Sequence, residues 1–146
     1  MTKKGLLLRF NEEKLRDMGR AASGVKGINV KSDDELISML VGSEGKDLLI
    51  ISEKGIGKRV EAEEFAVKNR GGKGMICYKP SEKAGKLVSA ELVNGDEDLM
   101  IIKEKGLVIR TAVSDIRLMG RAASGVKIMK SDDDTKVTSI TKILSK

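Results

Sequence analysis

The sequence predicts an all-β protein, a propeller-like array of about three repeated four-stranded blades, and three observations carry that expectation. Nine residues, M-G-R-A-A-S-G-V-K, stand unchanged at Met18–Lys26 and again at Met119–Lys127. Three columns keep one register at steps of 50 and 51 residues: Lys4-Gly5, Lys54-Gly55 and Lys105-Gly106; Arg20, Arg70 and Arg121; Gly24, Gly74 and Gly125. A period near 50 belongs to propeller arrays, in which one repeat makes one small sheet. Between the columns lie short runs rich in Ile, Val and Leu, interrupted by Gly, Asn and Asp, which is the pattern of strands.

The elements follow in order. The first repeat offers strands at Leu6–Phe10, Val25–Val30, Leu36–Val41 and Leu48–Ile51. The second offers Ile56–Val60, Gly74–Tyr78, Leu87–Val93 and Leu99–Ile102, and the third Leu107–Ala112, Val126–Met129 and Val137–Leu144. Ser52-Glu53-Lys54-Gly55 and Lys103-Glu104-Lys105-Gly106 suit hairpin turns between one repeat's last strand and the next repeat's first. Asn94-Gly95 is the strongest hairpin signal, because a type I′ turn needs φ > 0 at both central residues. Gly42-Ser43-Glu44-Gly45 takes its place in the first repeat. Asn11–Met18 and Val60–Val67 contain good helix formers, but are too short to stand as helices and are expected as long loops with one helical turn.

One repeat domain over 1–146 is therefore expected, with repeats at about 3–52, 53–103 and 104–146. The first repeat opens without a preceding fourth strand, and the third stops before its own. Closed propellers have about four to eight blades. An incomplete ring is expected, either a piece of a longer chain or one of two copies that complete each other through open blade edges.

The 146 residues are 40% hydrophobic and 34% charged, as a globular domain requires. No apolar run is long enough to span a bilayer, and Leu6–Leu8 is too short for a signal-peptide core, so no membrane partner and a cytoplasmic location are expected. The lone Cys77 rules out an internal disulfide. The chain has no His and no Trp, one Tyr and two Phe. That excludes His-dependent triads and Cys/His zinc sites, and leaves almost no platforms on which single-stranded bases could stack. The net charge of +6 suits a polyanionic partner.

The strongest candidate site is Lys68–Met75, K-N-R-G-G-K-G-M: Lys68, Asn69, Arg70, Gly71, Gly72, Lys73 and Gly74 combine backbone freedom with positive charge. Successive amides in such turns form anion-binding concavities. A lone loop of this kind is most simply a tight turn with solvated charges. Its recurrence, with Arg20 and Lys26 in the first repeat and Arg121 and Lys127 in the third, predicts a basic stripe along one rim, with Arg70 and Lys73 as the leading phosphate contacts. Lys58 and Arg59 suit either DNA contact or ordinary strand-edge charge, with Arg9 and Arg110 at similar places. Asp33-Asp34-Glu35 and Asp132-Asp133-Asp134 recur at a turn and suit solvated loop charge better than a metal site. Tyr78 has no base or metal-ligand constellation around it and suits a half-buried strand position, and Cys77 a buried small hydrophobe. No stretch completes the G-x-x-x-x-G-K-[ST] pattern of nucleotide hydrolysis. No catalytic residue, metal or cofactor is expected.

At these residues the chain resembles the C-terminal domain of DNA gyrase A, a family that builds such repeats into a β-pinwheel with a basic outer rim. The resemblance rests on M-G-R-A-A-S-G-V-K-G-I at Met18–Ile28, G-I-G-K-R-V at Gly55–Val60 and R-G-G-K-G at Arg70–Gly74. It covers nearly the whole chain, in the order of the last three blades of a six-blade domain. It implies that double-stranded DNA is bound and wrapped around the rim in support of negative supercoiling, by an ATP-dependent type II topoisomerase of the bacterial nucleoid. The remaining gyrase A chain and gyrase B would be partners in the holoenzyme, with the cleaving tyrosine and the ATPase elsewhere in the enzyme. The family's supercoiling box reads Q-(R/K)-R-G-G-(R/K)-G in the first blade. Lys68–Gly74 reads K-N-R-G-G-K-G, without the leading Gln, and resembles a later blade's copy. The C-terminal domain of topoisomerase IV is a close relative and the alternative within this class; a protein-interaction propeller without DNA binding is the alternative outside it.

Overall fold

Four consecutive aliphatic residues, Leu48 to Ile51, occupy the centre of the molecule and show how its layers are built. Alternate side chains of a strand point to opposite faces. Leu48 and Ile50 enter one hydrophobic cluster with Phe65, Cys77, Tyr78 and Leu87, while Leu49 and Ile51 enter a second with Leu99, Ile101, Ile116 and Val137. One strand thus separates two cores, and its unbroken aliphatic run is what burial on both faces demands.

The computed structural model describes residues 1–129 and 135–143. Its strands are β1 Leu6–Leu7, β2 Asp47–Ser52, β3 Ile56–Glu61, β4 Met75–Ile76, β5 Leu87–Val93, β6 Asp98–Lys103, β7 Val108–Ala112, β8 Val126–Lys127 and β9 Val137–Ile143. Short 3₁₀ turns at Glu12–Lys14, Ala62–Glu64 and Val113–Asp115 follow the first strand of each repeat, and no described segment is α-helical. The chain is all-β, as the repeat pattern predicts.

Each sheet draws strands from successive repeats. The central sheet has the order β5-β2-β3-β8, the third blade β7-β6-β9, and the first keeps only β1-β4. Within the central sheet β2 is the last strand of repeat one, β3 and β5 come from repeat two, and β8 from repeat three. The hairpins over Ser52–Gly55 and Lys103–Gly106 form as expected, pairing β2 with β3 and β6 with β7. Ser52 Oγ accepts from the Ile56 amide at 3.1 Å, and Thr2 Oγ1 from Leu6 at 3.2 Å, so one hydroxyl position closes the same turn in two repeats.

Four expectations fail, and at one of them Gly42–Glu44 forms a 3₁₀ turn with no strand directly before it, not a hairpin. Asn94-Gly95 makes no type I′ hairpin: neither residue has positive φ, and β5 and β6 belong to different sheets. The turn instead carries the chain from one blade to the next, with the Glu97 amide bonding the Asn94 carbonyl at 3.2 Å. The dipeptide reports a reversal, but the neighbour that β5 takes is β2, chosen by tertiary packing. Val25–Val30 and Leu36–Val41 form no strands; Leu36 makes a single bridge to Thr2. Strands need a neighbour for their backbone groups, and the described chain gives Leu36–Val41 only the Met1–Thr2 stub.

Candidate nucleic-acid interface

The glycine–basic loops join one blade to the next. Gly74 and Gly125 hold φ of +88° and +86°, and a Cβ at either would lie 2.7 Å from the Leu7 carbonyl oxygen or 2.9 Å from that of Gly57. Only glycine allows both the conformation and this approach of two backbones. There Met75 and Ile76 pair antiparallel with Leu7 and Leu6, and Val126 and Lys127 pair with Gly57 and Ile56. Gly71 donates its amide to the Gly27 carbonyl at 2.7 Å, and Asn29 donates to that of Gly72 at 2.8 Å. The first two loops thus lie side by side, and the third is tied to the second by Arg121.

The repeated arginine is the tie. Arg70 Nη1 donates to the Lys26 carbonyl at 2.7 Å, and Arg121 Nη1 to the Ile76 carbonyl at 2.9 Å. Ile76 stands in the second repeat where Lys26 stands in the first, so one bond occurs twice. Arg70 Nε is buried without a hydrogen-bond partner. The Arg121 amide also donates to Glu64 Oε2 at 2.7 Å. Arg70 is therefore half-buried and committed to the joint, and the two leading candidates have separate roles: Arg70 holds the loop while Lys73 stands exposed beside it. Lys68, Asn69 and Gly72 are also exposed.

Two further candidates turn inward. Lys58 is fully buried, and its Nζ donates to the carbonyls of Arg121 at 2.7 Å, Ala123 at 2.6 Å and Gly120 at 3.3 Å. Burial lowers its pKa, and the charge of Glu64 opposes the shift. Arg59 Nε donates to the Ile116 carbonyl at 2.7 Å, and its Nη1 pairs with Asp47 Oδ2 at 3.0 Å, with both side chains largely covered. Their charge is committed within the protein, Lys58 to loop carbonyls and Arg59 to Ile116 and Asp47, and not to an open strand edge. Both bind blade two to the loop of repeat three. The sequence carried signals for each. Lys58 shares its column with Leu8 and Ile109, an aliphatic position. Arg9, Arg59 and Arg110 recur with Asp47 and Asp98, and Arg9 reaches the Phe65 carbonyl at 3.3 Å as Arg59 reaches Ile116.

What remains outward is a smaller set of cations. Arg20, Lys26, Lys68, Lys73 and Lys127 have exposed side chains with no hydrogen-bond or ion-pair partner among the described residues. They lie on the row of loops that the ties connect in series.

The remaining groups have ordinary structural roles. Tyr78 is buried, not half-buried as expected, and donates its hydroxyl to the Gly85 carbonyl at 2.6 Å. Burial pushes the Cys77 thiol up to about 11. Asp33 pairs with Lys4, and Asp34 Oδ1 accepts the Lys4 amide at 3.0 Å, so these carboxylates close a turn. Asp132, Asp133 and Asp134 lie outside the described residues. No group of three or more His, Cys, Asp or Glu among the described residues is placed to hold a metal ion.

Stacked small sheets that exchange strands and join through basic glycine loops define the propeller-like class. The family model of the DNA gyrase C-terminal domain, a β-propeller, matches residues 1–43, 46–94 and 97–143, and the chain belongs to that family. It is 40% identical over 136 residues to the DNA gyrase A protein of Ureaplasma parvum, covering 93% of this chain and 16% of that protein. Against the DNA gyrase A protein of Deinococcus deserti it is 42% identical over 143 residues, covering 94% and 18%. The chain thus spans less than a fifth of these relatives. Among solved structures it resembles a DNA gyrase A C-terminal domain at a TM-score of 0.91 and 30% identity, covering 99% of this chain and 49% of that one. A topoisomerase IV C-terminal domain shares the fold at a TM-score of 0.88 and 24% identity, with coverage of 97% and 45%.

Proposed function

We propose that this chain is a double-stranded DNA-binding module of a bacterial type II topoisomerase of the gyrase kind, working in the cytoplasm on nucleoid DNA with the rest of a gyrase A chain and with gyrase B. The observation that carries the reading is the row of exposed cations with no partner among the described residues, Arg20, Lys26, Lys68, Lys73 and Lys127, on loops locked together by Arg70 and Arg121. Each exposed cation neutralises one phosphate and releases its counterion. Base readout has no part, because phosphate contacts position a duplex without reading its sequence. The ties serve the contact indirectly, by holding the row rigid against the cost of bending, on the order of 1–6 kcal/mol for a short site. The bent duplex follows the rim, and this wrapping is the module's share of negative supercoiling. Chemistry belongs to other parts of the enzyme. Family membership and gyrase-named relatives at 40–42% identity favour gyrase over topoisomerase IV.

The test is duplex affinity measured by anisotropy across salt. Five phosphate contacts give a slope of log affinity against log salt of about −4.5, a roughly 500-fold loss between 50 and 200 mM. Absence of duplex binding at low salt would overturn the reading and favour a protein-interaction propeller.

A further inference from the structure

The turn before β5, K-P-S-E-K-A-G-K at Lys79–Lys86, inverts the charge of its counterparts. It holds three Lys against one Glu, whereas the first repeat has Asp33, Asp34 and Glu35 at the same place and the third has Asp132-Asp133-Asp134. In the first repeat the acids are matched by the neighbouring hairpin: Asp33 pairs with Lys4, and Glu35 with Lys3 at 3.5 Å. In the second, the equivalent hairpin lysine, Lys54, bonds the Glu82 carbonyl and not a carboxylate. Lys79, Lys83 and Lys86 have exposed side chains with no hydrogen-bond or ion-pair partner among the described residues.

The turn that carries them is fixed. Ala84 is buried, and Tyr78 donates its hydroxyl to the Gly85 carbonyl at 2.6 Å. The Gly85 amide bonds the Ser81 carbonyl at 2.7 Å, and the Glu53 amide bonds that of Lys86 at 2.9 Å. Gly85 holds φ of +75°, and a Cβ there would lie 2.5 Å from Glu53 Cγ, so the turn is seated on the hairpin Ser52–Gly55. Cations on an ordered backbone have less freedom left to lose on binding.

The place of the turn gives the row of loop cations a direction. β3 runs about 20 Å from that hairpin to the 3₁₀ turn Ala62–Glu64. At the hairpin end Lys127 pairs with Ile56, and the Ile128 amide donates to the Gly55 carbonyl at 2.9 Å, so the row abuts the hairpin on which the lysine turn sits. At the far end stand Glu61, Glu63 and Glu64, all exposed. One flank of the row is basic and the other acidic.

We propose that the duplex held by the row lies over the hairpin edge at blade two, where Lys79, Lys83 and Lys86 contact its phosphates, and that Glu61, Glu63 and Glu64 keep it from the opposite edge. The inference rests on the DNA-binding reading above and adds the side of the row on which the duplex lies. Unpaired lysines beside a bound polyanion lower its energy and fixed carboxylates raise it, so the two flanks act in the same direction. In the first repeat the matching turn, with its acids already paired to Lys3 and Lys4, offers no such contact.

The test is the salt dependence of duplex affinity for a chain carrying Lys79→Ala, Lys83→Ala and Lys86→Ala together. The row's five contacts and the turn's three give the unaltered chain a slope of log affinity against log salt of about −7.2, and the variant is expected to return it to about −4.5, that of the row alone, with an unchanged melt. Lys83→Cys and Glu63→Cys chains, each carrying a photo-cross-linker, compare the two edges: the first is expected to link to duplex and the second is not, with the buried Cys77 unlabelled. A variant that binds duplex with the slope of the unaltered chain would overturn the proposal, leave the DNA-binding reading standing and give the turn to an acidic protein segment. Equal cross-linking at both ends would also overturn it. No duplex binding by the unaltered chain would overturn both readings.

Discussion

Met18–Lys26 and Met119–Lys127 are the same nine residues in two settings. In the second, Arg121 bonds the Ile76 carbonyl, Gly125 packs on the Gly57 backbone and Lys58 fills the loop's carbonyl cage. In the first, Arg20 is exposed and Gly24 meets open space. A repeated residue is therefore a structural tie where the described residues give it a neighbouring blade and has no partner among them where they do not. Recurrence alone marks the position and leaves the role open.

The comparison is broken most forcefully at Lys58. Lys58→Met leaves the part-buried carbonyls of Arg121 and Ala123 without their charged donor, while that of Gly120 keeps the Ala123 amide, and is expected to cost about 1.5–3 kcal/mol. Hydrogen exchange should accelerate in 119–127 and stay unchanged in 18–26; equal acceleration in both loops would show that the cage is not what separates them. Arg121→Ala is the next largest, at about 1–2 kcal/mol for the lost carbonyl bond and the guanidinium's packing. Arg20→Ala is expected to leave the chemical-denaturation midpoint unchanged and to weaken duplex binding. If the two variants behave alike, the distinction between tie and free cation fails.

A smaller effect concerns Cys77, behind the second loop. Its thiol, ordinarily titrating at 9.0, is pushed up to about 11 by burial. Because the raised folded pKa belongs to an acid, the unfolded chain releases its proton first. This contribution is constant below about pH 9 and costs stability as pH rises from 9 to 11. At pH 8 a thiol reagent should label Cys77 only at the rate of opening. Fast labelling of the folded protein would mean that the core behind the loop is open.

Much of the architecture was legible in the sequence. Leu87–Val93 is a strand at the bounds read from its residues, and β2, β3 and β6 extend their expected runs by a residue or two, because long aliphatic runs bounded by turn residues leave little choice. The pairing of β2 with β3 and of β6 with β7 was legible from their turns, but the neighbour on the other side of β2 and β6 was not. Asn94-Gly95 marked a real reversal, but strand exchange between repeats is a tertiary event with no local pattern. In the candidate site, the loops and their glycines were legible because a positive-φ position in three repeats selects one residue type. The role of Arg70 was not, because its guanidinium is spent on a backbone carbonyl, which every residue possesses and no sequence column displays; Lys58 and Arg59 left only indirect signals, an aliphatic column and a recurring Asp.

The central claim is that DNA contact resides in the exposed cations and joint-holding in the tied ones. It is tested most directly by the salt dependence of duplex binding for a chain carrying Lys26→Ala, Lys73→Ala and Lys127→Ala together. With three phosphate contacts removed, the slope of log affinity against log salt is expected to become shallower by about 2.7, at roughly 0.9 per contact, with an unchanged melt. A slope equal to that of the unaltered chain would contradict the assignment and place the contact surface elsewhere on the molecule.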